Sequence, residues 1–412
     1  MAALKMLPSF RKTPVGELKS QCRFLERSFN AFNPATMAAA REPRGTRTQL
    51  QEADTRIVAP NESGRALVAL LVWDETDGIA EVIGDELDRL NYTPLLLRPY
   101  ESIPPDVPFV FTFGPYGKLL EFLSQLDHLA PNDRPVSVHW NTEGIPDPRL
   151  PWFFVRTIGS QRSRADLLLF RLRSDRLRTL VHRFALAILR ARMLRFRYVG
   201  DLYFAYRKGW IHVMGDTSQI YSQLRSRHGL PTLFIPWGVT AKWYANLELE
   251  RDIDVLWMGK KATRRRSAIL HRLRDQLRNR GLKVYMADNE ERPFIFGETR
   301  IEFLNRAKIT LNLTRTWYDD NFSRFILAAP NRSLIVSERL LPHCPYFEAG
   351  THYMAGPADS LSDLILRCLE DEEGRSQIVD NCYKLVMTKL TLRNSIQKIM
   401  QAAEEKRTSG TA

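Results

Sequence analysis

The sequence predicts an α/β protein built from two Rossmann-like, doubly wound halves that face each other across a cleft. Three observations predict it. Short apolar runs alternate with amphipathic helical segments from Ala66 onward, the pattern of parallel sheets covered by helices. The alternation halts at Pro236-Trp237-Gly238-Val239 and begins again at Asp252. One strand then breaks at Gly259 and runs straight into Lys260, Lys261, Arg264, Arg265 and Arg266. Strand, glycine turn, basic loop and helix is how such sheets hold phosphate.

The first half opens with Leu67-Val68-Ala69-Leu70-Leu71-Val72-Trp73, a continuous apolar run of the kind buried parallel strands show. Ile79 to Leu90 is a helix with Ile79, Val82, Ile83, Leu87 and Leu90 on one face, and Asn91 suits its C-cap. Strands follow at 93–97, 108–113 and 135–140, with a helix over 119–129. Ile211-His212-Val213-Met214 and Thr232-Leu233-Phe234-Ile235 read as later strands of the same sheet. The domain so defined spans 64–239, and residues 1–63 read as a poorly ordered basic extension in which Met37 offers a second start. Residues 240–251 are a polar linker.

The second domain, 252–390, repeats the pattern, with strands near 254–258, 282–286, 308–313, 333–337 and 351–354. Three helical segments close the chain, marked by Leu361, Leu364 and Ile365, by Ile378, Val379, Leu385 and Val386, and by Leu392, Ile396 and Ile399. The terminal stretch 391–412 is expected to cross back and brace the two domains.

At 412 residues with 44% apolar content the chain is long enough for two cores. Its net charge of +13 points to anionic partners. Residues 162–197 hold eleven arginines against two acids, Asp166 and Asp175, around an apolar stripe of Leu177, Leu180, Val181, Phe184 and Ile188. Such a helix either lies on anionic lipid or packs on the sheet with its arginines solvated. No apolar run reaches the roughly 20 residues that cross a bilayer. No secretory signal is legible, so the expected location is cytoplasmic, with peripheral contact at the inner membrane face left open. The four cysteines, Cys22, Cys344, Cys368 and Cys382, form no metal or C-x-x-C spacing and read as reduced thiols.

The chemistry concentrates in two places. In 259–266 the cations sit at a helix start, where they oppose the helix dipole unless an anion is bound. They suit the negative charge that grows on a nucleoside diphosphate as its bond to a sugar breaks. Downstream, Ile309-Thr310-Leu311-Asn312-Leu313 leads to Asp319, Asp320, Asn321 and Ser323, all N-cap types, and Arg324 follows in the first helical turn. The donor-binding candidates are therefore Gly259, Lys260, Lys261, Arg264, Arg265, Asn312, Asn321 and Arg324. A base for the acceptor hydroxyl belongs at strand ends of the first half, where Asp74, Glu75 and Asp77 or His139, Asn141 and Glu143 stand. Asp77 also suits a helix cap, and His139 also suits a core position. Asp252-Ile253-Asp254 spells a D-x-D but precedes its strand, so no metal site is read there.

Residues 254 to about 400 resemble the C-terminal domain of GT-B glycosyltransferases, the CgeB-like group of the family 1 type. The resemblance is carried by Asp254-Val255-Leu256-Trp257-Met258-Gly259 with Arg264-Arg265-Arg266, by Phe322 to Ala329 with Leu334-Ile335-Val336, and by Tyr346-Phe347-Glu348-Ala349-Gly350. Pro236-Trp237-Gly238-Val239 is similar to the interdomain turn of the same enzymes. The resemblance implies a UDP- or GDP-sugar donor, no cofactor and no metal, and a glycan, lipid-linked or protein acceptor. It also marks two departures. Leu327 stands where the family carries a glutamate implied to hold the donor ribose, with Glu338 or Glu348 as substitutes, and Arg332 stands where a glycine is usual. Leu327 supports a rival reading, a non-catalytic relative that binds a nucleotide or glycan as scaffold or sensor. The charge supports a second, nucleic-acid binding, but no standard motif is present and the arginines are not interleaved with stacking aromatics.

Overall fold

The computed structural model describes residues 64–72, 78–114, 119–171, 194–316, 318–319, 322–340 and 346–410. The readings made for 1–63, for Asp74, Glu75 and Asp77, for Asp320 and Asn321, and for the centre of the arginine segment, 172–193, lie outside those residues.

The first sheet is all parallel, in the order β2-β1-β3-β4-β5-β6. Its strands are β1 (Ala66–Leu71), β2 (Tyr92–Leu97), β3 (Phe109–Phe113), β4 (Val136–Asn141), β5 (Val213–Asp216) and β6 (Leu233–Phe234). The second sheet, also parallel, runs β8-β7-β9-β10-β11, from β7 (Ile253–Met258), β8 (Val284–Ala287), β9 (Ala307–Asn312), β10 (Leu334–Glu338) and β11 (Met354–Gly356). Both sheets turn their strand order between the first and third strands, which places a crevice at the C-terminal ends of β1/β3 and of β7/β9.

Helices cover both faces. Those of the first half are α1 (Gly78–Arg89), α2 (Leu119–Leu123), α3 (Trp152–Arg171), α4 (Leu194–Arg207) and α5 (Gln219–Arg227). Those of the second are α6 (Arg264–Asn279), α7 (Gly297–Arg306), α8 (Ser323–Ala328), α9 (Leu361–Glu370) and α10 (Glu372–Thr388). The chain ends in α11 (Leu392–Gly410). Asn91 closes α1 at φ 69°, the left-handed conformation its amide tolerates. The helix expected over 119–129 tightens after Leu123 into a 3-10 turn, Ser124–His128. The strand read at 211–214 lies two residues later, because the register pairs Val138 with Val213.

The described ends of the arginine segment are helical and packed. α3 places Val155 and Leu167 in the first-half core, and α4 adds Val199, Leu202 and Tyr203. The two helices cross at Gly159 and Gly200, where a Cβ on Gly200 would stand 2.1 Å from the Gly159 carbonyl oxygen. Only glycine permits that approach.

α11 crosses back to the first sheet. Its Leu392, Ile396, Ile399, Met400 and Ala403 are buried with Val68, Leu70, Phe109 and Trp140. The chain therefore passes between the halves twice, and the two passes touch. Val239 N–H donates to the Leu390 carbonyl (2.7 Å), and Leu392 N–H donates to the Val239 carbonyl (2.8 Å). A Cβ at Gly238 would sit 2.1 Å from the Thr391 carbonyl carbon, which is why a glycine stands there. The linker is not free: the Trp243 ring packs, tilted, 6.3 Å from that of Trp237, which itself lies 4.5 Å from Trp140.

Candidate functional site

At the end of β7 the backbone turns sharply. Gly259 has φ 108°, and a Cβ there would approach the Arg324 Nη2 to 3.2 Å. Thr263 caps α6, its hydroxyl accepting from the Arg266 N–H (3.2 Å) and donating to the Arg315 carbonyl (3.3 Å). The first amides of α6 are thus presented at the end of the β7/β9 crevice, beside the chain that leaves β9.

Three guanidiniums gather around that point. Arg324 reaches from the first turn of α8 and donates through Nε to the Met258 carbonyl (3.0 Å) and through Nη1 to Asn312 Oδ1 (3.3 Å). Its Cζ lies 4.2 Å from the Trp257 ring centroid, a cation–π contact. Asn312 is held in turn by Ser337 (3.0 Å). Arg266, 3% exposed, grips the carbonyls of Lys260, Lys261 and Leu313. Arg315 follows β9 and has Glu143 of the first half at 3.6 Å. Among the described residues neither Arg266 nor Arg324 has a carboxylate at ion-pair distance. Burial first, then the neighbouring guanidiniums Arg266 and Arg315, pushes the Arg324 pKa down to about 9. Burial and Arg315 push that of Arg266 down to about 10. Both stay charged at neutral pH; Asp319, and for Arg266 also Glu338, oppose the depression from beyond ion-pair distance.

Other candidates are placed differently. Lys261 is 8% exposed and turns away, its ammonium between Asp288 (3.1 Å), Glu290 (2.6 Å) and His271 (2.7 Å). Arg265 pairs with Glu338, which also accepts from the Thr314 N–H (3.0 Å). Arg264 and Lys260 are exposed. Ser323 opens α8, but Phe322 holds the cap position and no side chain caps it. Glu338 is committed to Arg265 and Thr314, and Glu348 is exposed. Leu327 packs against the second core, so its position offers no carboxylate.

On the first half, His139 is 0% exposed. The Thr112 hydroxyl donates to the Val138 carbonyl (2.9 Å), so the proton shared with His139 Nδ1 (2.9 Å) is the imidazole's. Nε2 is buried without a partner, and burial, with Arg225 nearby, pushes the pKa down to about 3. His139 is a neutral core residue with no face on the cleft. Asn141 is also buried, donating to Asp216 (2.8 Å). Glu143, by contrast, lines the cleft.

The two halves meet there. Tyr221 donates to the Tyr318 carbonyl (2.7 Å), and Arg195 donates to the Tyr318 hydroxyl (3.3 Å). Between them is a small cavity with room for about one water. Thr142, Glu143, Gly144, Arg195, Thr217, Ser218 and Tyr221 form its first-half wall, and Arg315, Asp319 and Phe322 its second-half wall, with Trp237 at the crossing. Arg315, Arg195 and the Trp257 platform were not among the sequence candidates. Arg315 had a usable signal, a cation directly after a strand that borders the crevice.

Residues 264–401 match the glycosyl transferase-like family. Over that span the C-terminal domain is similar to those of glycosyltransferases. The match runs from the first residue of α6 through Arg324 and into α11, and the GT-B fold spans both sheets. Sucrose-phosphate synthase from Thermosynechococcus elongatus aligns over 84% of this chain and 100% of its own, at 10% identity and TM-score 0.50. Anabaena HepE, solved with UDP and glucose, aligns over 83% of this chain and 100% of its own, at 11% identity and TM-score 0.49. No curated protein sequence matches this chain.

Proposed function

We propose that the protein moves a sugar from a nucleoside diphosphate to a hydroxyl acceptor, with Arg324 and Arg315 taking the diphosphate at the β7/β9 crevice. The observation that carries this reading is the cluster of Arg266, Arg315 and Arg324, in which Arg266 and Arg324 are met by carbonyls and an amide rather than by acids. Arg266 holds the turn in shape, while Arg324, Arg315, Lys260 and the first amides of α6 face the phosphates. As the bond from C1 to the diphosphate breaks, these groups stabilise the departing charge. The supporting residue for proton removal is Glu143. In the closed cleft it lies against Arg315, and a bound diphosphate would compete for that guanidinium and release the carboxylate as a base.

Isothermal titration with UDP and GDP in the presence of EDTA tests this directly. One diphosphate is expected to bind selectively, and Arg324→Ala is expected to weaken it about 100-fold, the loss of charge-assisted hydrogen bonds. Unchanged affinity and turnover in Arg324→Ala would sink the reading.

A peripheral membrane contact has its own support. α3 exposes Phe153 (69%) and Phe154 (47%) beside the exposed Arg156 and Arg164. Among the described residues no helix is long and apolar enough to cross a membrane. Flotation with anionic but not with neutral liposomes, lost in Phe153→Ser/Phe154→Ser, is the expected result.

A further inference from the structure

We propose that the acceptor carries an anionic group, a phosphate or a carboxylate, and that Arg195 binds it; this rests on the glycosyl-transfer reading above. Arg195 stands on the first-half wall of the cavity, opposite the phosphate side. Both of its hydrogen bonds use Nη1, to the Ile145 carbonyl (3.2 Å) and to the Tyr318 hydroxyl (3.3 Å). Nε and Nη2 have no protein acceptor among the described residues, and no carboxylate lies within 4.0 Å. Its neighbours differ. Arg197, two residues on, has Asp201 at 3.4 Å, and Arg225 below the same wall is paired with Asp216. Two carboxylates line the cavity: Glu143 faces Arg315, and Asp319 accepts from the Arg315 N–H (3.0 Å).

The surrounding wall suits an anion as well. α5 starts here, with Thr217, Ser218 and Tyr221 lining the cavity, and the positive end of its dipole reinforces Arg195. A neutral sugar hydroxyl needs hydrogen-bonding groups but no uncompensated guanidinium. A planar guanidinium whose Nε–Nη2 edge is free matches phosphate or carboxylate in bidentate fashion. In the transfer, the C1–oxygen bond to the diphosphate breaks and its electron pair leaves with the diphosphate. The acceptor oxygen forms the new bond to C1, and its proton passes to Glu143. Arg195 touches neither reacting atom; it selects the acceptor and orients it.

A purely structural role, clasping the cleft through Tyr318, makes a different prediction. The test uses the full chain saturated with UDP or GDP, so that the phosphate side is filled, and titrates inorganic phosphate and acetate separately. Wild type is expected to show one further anion site. Arg195→Met should weaken it roughly tenfold or more while nucleotide affinity stays within about twofold. Tyr318→Phe should leave anion binding within about threefold. Binding of phosphate but not acetate assigns a phosphoryl-bearing acceptor, and the reverse a carboxylate. The proposal is overturned by the absence of a further site, by a site indifferent to Arg195→Met, or by equal loss of nucleotide and anion binding in that variant. Anion binding through Arg195 in a chain that takes neither nucleotide would overturn the donor reading and leave this site standing.

Discussion

At the end of the first sheet Arg225 is met by Asp216, which also accepts from Asn141 and from the Ser218 N–H, each at 2.8 Å. At the matching end of the second sheet Arg266 and Arg324 are met by carbonyls and one amide. Arg225 and Arg266 are buried and Arg324 is half-buried, and desolvation depresses the pKa of each. The difference lies in the counter-charge. A buried arginine with its acid is a finished piece of scaffold. A buried arginine without one costs the folded chain free energy, and that cost is recovered when an anion arrives.

The comparison can be broken most forcefully at Arg225. Arg225→Met leaves Asp216 buried without its cation and should cost about 3–5 kcal/mol in urea unfolding. Arg324→Met should do the reverse: stability within about 1 kcal/mol of wild type, nucleotide affinity down about 100-fold, or about 2.7 kcal/mol. If Arg324→Met destabilises as Arg225→Met does, the second cluster is scaffold too.

A third expectation concerns His139 in the balanced half. Above pH 6.5 both folded and unfolded chains leave it neutral. Below that, the unfolded chain takes up a proton that the folded chain refuses until about pH 3, so stability falls as the pH drops through this window. Its share of the loss from pH 7 to pH 5 is about 2 kcal/mol, and His139→Gln should flatten the profile by that amount. The smallest effect belongs to an exposed, paired arginine. Arg332 closes the 3-10 turn Ala329–Asn331 that follows α8, at φ 56°, and pairs with Asp380. Arg332→Gly relieves the left-handed strain and forfeits a surface pair, for a net gain of about 0.5 kcal/mol by thermal unfolding.

The same residues show how far the sequence could be read. Periodicity located the strands of both sheets and several of their helices to within a few residues, because buried parallel strands are continuous apolar runs and their helices carry one apolar stripe. It could also mark Gly259 and Arg324, since a glycine after a strand and a cation in a first turn each break a local rule. It could not sort the cations among themselves. Lys261 and Arg265 look like Lys260 and Arg266 in one dimension, and only the arrival of Asp288, Glu290 and Glu338 from other strands commits them elsewhere. His139 was equally ambiguous until the fold closed over it. Arg315 and Arg195 matter because two halves meet, and no local pattern reports that. The unusual Arg332 became intelligible only once its φ was known.

Two backbone segments pass between the halves, hydrogen-bonded to one another beside Gly238. Because the second pass delivers α11 to the first core, the first half is discontinuous in sequence: its last helix is translated after the whole of the second half. A fragment ending in the linker would expose the apolar groove that α11 fills. The amino-terminal half can therefore finish folding only after the ribosome has released most of the chain, and the carboxyl-terminal half sits inside it as an insertion rather than behind it as a successor.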